Sequence, residues 1–196
     1  IGVYNLRGWY ISNRTGKGKV AKENPMDYNT SQTQFSSESG TEPITLAEAK
    51  AWIKVDTAIT ADDTLITELI KAARQQVEGF LGISLIQRTV TAIINNSAGD
   101  IELPYGPLVS FTSLTDEDGT AIAADDYELR GIGFKYLHEP LYDYMTAVYT
   151  TGYTALPENF KTAVKEQVAW LYDNRGEAKE LSEIVYNTLK PFRRVE

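Results

Sequence analysis

Apolar residues first repeat with a helical period. In PITLAEAKAWIKV, Leu46, Ala49, Trp52 and Ile53 fall on one helical face. Thr45 followed by Glu48 is a capping box, in which hydroxyl and carboxylate exchange hydrogen bonds with amides of the first turn. This predicts a helix over residues 45–56. In TADDTLITELIKAARQQVEGFLG, Leu65, Ile66, Leu69, Ile70, Ala73, Val77, Phe80 and Leu81 keep the same spacing. Thr60 and Asp63 repeat the capping pattern, Asp62 and Asp63 suit the positive end of the helix dipole, and Gly82 suits the C-terminal cap. A second helix is expected over residues 61–81.

From Ser84 to Tyr153 the period changes. SLIQRTVTAII is rich in β-branched residues and stops at Asn95 and Asn96. IELPYGPLVSFTSLT carries two prolines, which restrict it to short or edge strands, and DEDGT signals a hairpin turn. YELRGIGFKYL and MTAVYTTGY read as further strands. Residues 84–153 are thus expected to form an antiparallel β region of about four to six short strands, inserted between helices.

Helical spacing returns in LPENFKTAVKEQVAWLYDNRG, with Pro157 and Glu158 in the first turn and a stripe of Phe160, Val164, Val168 and Leu171. Ala163, Gln167 and Trp170 lie beside that stripe. This helix is expected over residues 157–175, broken at Asn174, Arg175 and Gly176. EAKELSEIVYNTLK then offers a short amphipathic helix through Leu181, Ile184, Val185 and Leu189, which Pro191 must end. The expected fold is α+β: a helical core of two N-terminal helices, a long C-terminal helix and a short terminal one, with the β region inserted. Three segments follow: an extended arm or linker at 1–42, a core at 43–176, and a C-terminal helix and tail at 177–196.

The arm is set apart by composition. NTSQTQFSSESG, Asn29 to Gly40, is polar with no apolar period, and the stretch before it holds Tyr4, Trp9, Tyr10 and then RTGKGK. Such a segment cannot bury enough surface alone, so a neighbouring subunit is expected to hold it, with Trp9 and Tyr10 as contacts. The chain opens on Ile1 rather than methionine, which raises the expectation of a missing or processed start.

Across 196 residues, 42% are hydrophobic and 23% charged, the balance of a globular protein with a real core. There is no cysteine, which excludes disulfides and thiolate metal sites and favours a cytosolic history. No apolar run approaches the roughly 20 residues needed to span a bilayer. The net charge of -8 argues against wrapping DNA, which needs clustered Lys and Arg, and suits a surface past which DNA slides.

Reactive groups do not converge. His138, the only histidine, sits beside Glu139 and Pro140 and reads as a surface loop residue, so a histidine metal cluster or a two-histidine relay is excluded. TGKGK (Thr15 to Lys19) lacks P-loop spacing, and RGIGF (Arg130 to Phe134) is half a dinucleotide fingerprint better explained by tight turns. TDEDG resembles the opening of a calcium loop, but loop position twelve from Asp116 is Tyr127, not glutamate. Asp125 and Asp126 are adjacent and would point to opposite faces of a strand. Trp170 and Tyr172 suit a core or a subunit interface. No catalytic residue, cofactor or metal ligand is expected.

The ordered set of segments resembles the phage head-tail connector proteins, also called adaptor or head-completion proteins. Leu46, Ala49 and Lys50 match a Leu-x-x-Ala-Lys core, followed by an Asp-Asp cap and a long helix ending Val77-Glu78-x-Phe80-Leu81-Gly82. LPYGPLVSFTSLTDEDGT is similar to the family's Pro-rich strand, hairpin and Asp-Gly turn. VYTTGYTALPENFKTAVKEQVAWLYDNRGE is similar to its strand, Thr-Gly-Tyr turn and Pro-led helix, and LKPFRR to its terminal tail. The likeness covers about residues 43–196, and residues 1–42 have no counterpart in the pattern.

The resemblance implies a non-enzymatic virion protein at the head-tail junction, made in the host bacterial cytoplasm. It implies a ring of about twelve subunits beneath the portal protein, closed by a head-to-tail interface. Such a ring extends the DNA channel and offers a surface to a downstream stopper or tail protein, with no membrane partner and no sequence-specific DNA binding. The tail is the expected portal contact, through Asn174, Arg175, Gly176, Leu189, Pro191, Phe192, Arg193 and Arg194: Phe192 would fill a pocket and the arginines would pair with acidic groups. The competing arrangement folds Phe192 back onto its own domain. A stopper or tail-completion protein, or an unrelated α+β enzyme or binding module, are the other functional readings. The first should carry a channel-plugging loop, and the second needs convergent polar groups in a pocket.

Overall fold

The computed structural model describes residues 30–95, 100–138, 142, 144–174 and 180–194. The described elements run β1 (Thr30–Glu38), α1 (Leu46–Trp52), α2 (Asp63–Leu81), β2 (Arg88–Asn95), β3 (Ile101–Glu102), β4 (Leu108–Asp116), β5 (Glu128–Arg130), β6 (Tyr136–His138), β7 (Tyr144–Thr151), α3 (Glu158–Asp173) and α4 (Glu183–Leu189). Short 3-10 turns cover Ala124–Asp126 and Lys190–Phe192. The fold is α+β, with one four-stranded sheet ordered β1-β2-β7-β4 and one three-stranded sheet ordered β3-β6-β5. Every pairing between the described strands is antiparallel.

Two cores result. In the helical one, Ile66, Ile70, Ala73, Val77 and Leu81 of α2 meet Phe160, Val164 and Val168 of α3 and Val185 and Leu189 of α4. In the β core, Val90, Ala92 and Ile94 of β2 and Met145, Ala147 and Tyr149 of β7 alternate onto one face. With Leu114 of β4, that face closes over Ile101, Leu103, Ile122 and Leu137. The alternation follows from the two-residue period of a strand, which turns every second side chain to the same side.

The first strand departs from the sequence reading. The polar run assigned to the arm of residues 1–42 is, from Thr30 to Glu38, an edge strand paired with β2 over Thr30↔Ile94 to Glu38↔Arg88. Backbone pairing needs no apolar side chains, so composition alone hid it. Glu38 adds a specific anchor, reaching Arg74 at 3.3 Å and Arg88 at 3.8 Å.

The helix ends also move. The capping box at Thr45 and Glu48 forms, with both reciprocal bonds present. However, α1 stops at Trp52, short of residue 56, and Lys54 takes a left-handed φ of 57°. The cause is Lys50, a buried side chain. Its Nζ donates to the carbonyls of Thr57 and Ile59 and to Asp63 Oδ1 at 3.2, 2.5 and 2.6 Å, drawing the loop back over the helix end. Asp63 is thereby committed to Lys50 rather than to a cap with Thr60, and Asp62 stands at the N-cap of α2 without a side-chain cap bond. Gly82 does cap α2, at φ 70°. DEDGT is a tight turn, with Gly119 N–H donating to the Asp116 carbonyl at 3.1 Å. His138 lies on β6 rather than in a loop, its Nδ1 2.6 Å from Asp100 Oδ1.

Candidate assembly surfaces

The C-terminal segment is organised by one buried amide. Gln167 on α3 is fully buried within the stripe that faces α2 and α4. Its Nε2 donates to Gln76 Oε1 at 2.7 Å and to the Glu180 carbonyl at 3.1 Å, and its Oε1 accepts the Ser182 N–H at 2.9 Å. Ser182 in turn caps α4, its Oγ accepting the Val185 N–H. The side chain of α3 therefore dictates where α4 starts. Val185 and Leu189 then enter the core, while Ile184, expected on the same stripe, is 66% exposed.

The tail turns back over its own subunit. Phe192 meets Phe160 edge-on, with ring centroids 5.7 Å apart, yet remains 48% exposed. The Arg193 guanidinium lies 5.4 Å over Phe80. Arg194 does three things: its N–H donates to the Leu81 carbonyl, its guanidinium stacks 3.9 Å over Phe134, and it pairs with Glu102. Planar guanidinium over an aromatic face gains cation–π attraction as well as covered area. The arginines expected to meet partner carboxylates thus have partners within the subunit. Leu189 is a core residue with no surface to offer. Asn174 closes α3, its N–H and Nδ2 both donating to the Trp170 carbonyl. Arg175, Gly176, Trp9 and Tyr10 lie outside the described residues.

What the segment leaves outward is Ile184, Tyr186, Pro191 and Phe192, beside a shallow groove of about 330 Å³ lined by Gln76, Phe80, Glu180, Leu181 and Tyr186. Two further exposed aromatics stand on the helices: Trp52 of α1, under Lys165 at 5.8 Å, and, separately, Trp170 of α3. Exposed aromatics near a groove are the composition of a protein interface rather than of a polar surface.

Beneath β1 lies a charged cluster that sequence inspection passes over. Arg74 of α2 is fully buried and donates to Glu42 at 2.9 Å and to Glu78 at 2.9 Å, with Glu38 beyond at 3.3 Å. Arg88 of β2 donates to the same Glu78 at 2.5 Å and stacks on Phe35 of β1. Glu78 Oε1 also accepts the Leu85 N–H at 2.7 Å. Burial opposes the charge on Arg74, but hydrogen bonding to Glu42 and the charges of Glu78, Glu42 and Glu38 outweigh it, and its pKa rises. The signal was present: Arg74 and Glu78 sit four apart on the apolar stripe of α2, where an unpaired charge would be intolerable.

Other ionisable groups do structural work. Burial, followed by neighbouring Tyr105, pushes the Tyr149 phenol far up, and its hydroxyl donates to the Pro104 carbonyl. The backbone N–H of Thr45 holds Glu48 below the usual carboxylate range. Among the described residues, no group of three or more His, Cys, Asp or Glu could hold a metal ion, and no helix is long and apolar enough to cross a membrane.

Comparison with known proteins places this architecture. Residues 42–190 match the family model described as Head completion protein. Among solved structures, the fold superposes on a chain from the neck of an empty GTA particle, with TM-score 0.70 and 20% identity, covering 85% of this chain and 97% of that one. A chain from the virion of a native gene transfer agent particle gives TM-score 0.68 at 21% identity, covering 85% and 97% respectively. One from the neck of a native GTA particle gives 0.62 at 19%, covering 83% and 96%. At these identities the likeness is one of fold. No curated protein sequence matches the chain.

Proposed function

Because this chain belongs to the head completion protein family, we propose that it is a structural virion subunit at the head-tail junction, forming a ring adaptor between portal and tail. The observation that carries this reading is the extent of the match: the family model spans residues 42–190, which include both cores and α4. The superposition on neck chains of gene transfer agent particles, covering nearly the whole of each, supports the same location. Those necks were computed with C6 and C12 symmetry, which supports a closed ring around the axis.

The role asks for geometry rather than chemistry. A ring subunit needs a stiff body, two lateral surfaces and an axial one. Two apolar cores and the buried Arg74 cluster supply the body. The outward face of the C-terminal segment, Ile184, Tyr186, Pro191 and Phe192, is our candidate for the portal contact, with Arg193 and Arg194 bracing it from within. An overall charge of -8 keeps passing DNA from adhering to the channel wall.

The test is a particle assembled without this protein. DNA-filled heads should accumulate and fail to join tails, and adding the purified protein should restore joining. Normal tail joining in its absence overturns the reading, as does a reconstruction of the neck in which it does not occur.

A further inference from the structure

The main sheet is buried on one side only. On the opposite side, β2 presents Thr89, Thr91 and Ile93, β7 presents Thr146, Val148 and Thr150, and none of these is fully buried. β4 adds Ser110 and Ser113, which are in register with Thr150 and Val148. No described helix makes substantial contact with this face, because the helices pack on one another.

The face is also uncharged. The only charged residues in its four strands are Glu38, Arg88 and Asp116. All three are in register with the buried side: Glu38 opposite Arg88, Arg88 opposite Thr151, and Asp116 opposite Met145. A broad surface without charge, in a chain that is 23% charged, has hydroxyls but no cation to hold phosphates, and suits an uncharged, hydroxyl-tolerant protein segment.

Residues 1–29 supply a segment of that chemistry. They join the sheet at Thr30, which pairs with Ile94, beside exposed Ile93 and close to Tyr144 at the end of the same face. Val3, Tyr4, Leu6, Trp9, Tyr10 and Ile11 form their apolar part. The rest is basic. Arg7, Arg14, Lys17, Lys19 and Lys22 against Glu23 and Asp27 give +3, which leaves -11 on residues 30–196 from a total of -8.

We infer that the apolar stretch Val3–Ile11 docks on the uncharged sheet face of the neighbouring copy, with the basic stretch bridging the joint. The inference rests on the ring reading above and names what one side of that ring uses. Bodies carrying -11 each repel when placed side by side. A +3 segment laid across the joint puts its positive charge between them, where it offsets the repulsion most, whereas one kept within its own subunit only reduces each body to -8. Reach is sufficient: residues 12–29 span up to about 60 Å fully extended, against a body about 40 Å across.

The chain has no cysteine, so disulfide trapping is clean. Full-length Gly8→Cys and Thr91→Cys proteins are mixed and oxidised, in concentrated solution and in tail-joined particles. The expected product is a disulfide-linked dimer, reduced at least tenfold when Trp9→Ala and Tyr10→Ala are added to the Gly8→Cys protein. A double variant, Gly8→Cys with Thr91→Cys, that closes only within one chain assigns the segment to its own face and overturns the inference. So does a blank in both settings, with Thr150→Cys in place of Thr91→Cys also blank. Protein found at the junction without cross-links sinks this docking and leaves the ring reading intact. Cross-linked protein that is absent from the junction supports the docking and removes the ring from the portal.

Discussion

Arg194 stacks its guanidinium 3.9 Å over the ring of Phe134, so the last described residue of the chain is held by the turn between β5 and β6. The same residue bonds Leu81 at the end of α2. The tail therefore ties the helical core to the β region, and its removal is first a question of stability.

Arg194→Ala should lower the unfolding free energy by about 1–2 kcal/mol, since it removes a cation–π contact, a partly screened ion pair with Glu102 and packing of the side-chain stem. Phe134→Ala should cost at least as much, and the double variant less than the sum of the two. Urea melts of the four proteins check this, and full additivity would show that the stacking carries no energy.

Arg74→Met should be among the most damaging single changes, at about 3–5 kcal/mol, because Glu78 and Glu42 would lose their buried partner. Glu38 would lose one of its two anchors, so hydrogen exchange should rise most along β1. Unchanged protection of β1 in this variant would mean that backbone pairing alone holds the strand.

Glu48 gives the pH dependence a sign. Its pKa is lowered in the folded state by the Thr45 amide, so the folded form binds its proton less readily than the unfolded form. Its contribution is complete above the ordinary carboxylate value and fades as pH falls through the lower folded value. Glu48→Gln keeps some capping ability but removes that dependence, and Glu48→Ala should cost about 0.5–1 kcal/mol at neutral pH. Thermal melts of wild type and variants between pH 7 and about 3 should converge on acidification.

Ile184→Glu tests the outer face without touching the core. At 66% exposure the residue should tolerate the change within about 0.5 kcal/mol. If this face meets the portal, tail joining should fall at least tenfold while the melting temperature holds. Wild-type joining by a folded Ile184→Glu protein would move the contact elsewhere, with the surfaces around exposed Trp52 and around exposed Trp170 the next to test.

The stripes of α2 and α3, the Thr45–Glu48 box, the Gly82 cap and the Asp116–Gly119 turn were legible in the sequence because each depends on neighbours within one or two helical turns. The order of those local signals along the chain sufficed to suggest the family. Position 184 was misjudged for a different reason: a seven-residue helix is too short for spacing to decide which side meets the core, and Gln167 decides it through Ser182. β1 was hidden because an edge strand is held by backbone bonds and by Glu38 reaching across to Arg74, contacts that leave no period in Ser, Thr and Gln. The tail's direction was likewise set at a distance, where Phe134, Glu102 and Leu81 converge on Arg194. Local hydrogen bonding and periodicity determined the elements. Long-range pairing of buried charge and the pinning of chain ends were decided only when the elements packed, since the partners are separated by tens of residues and meet only in three dimensions.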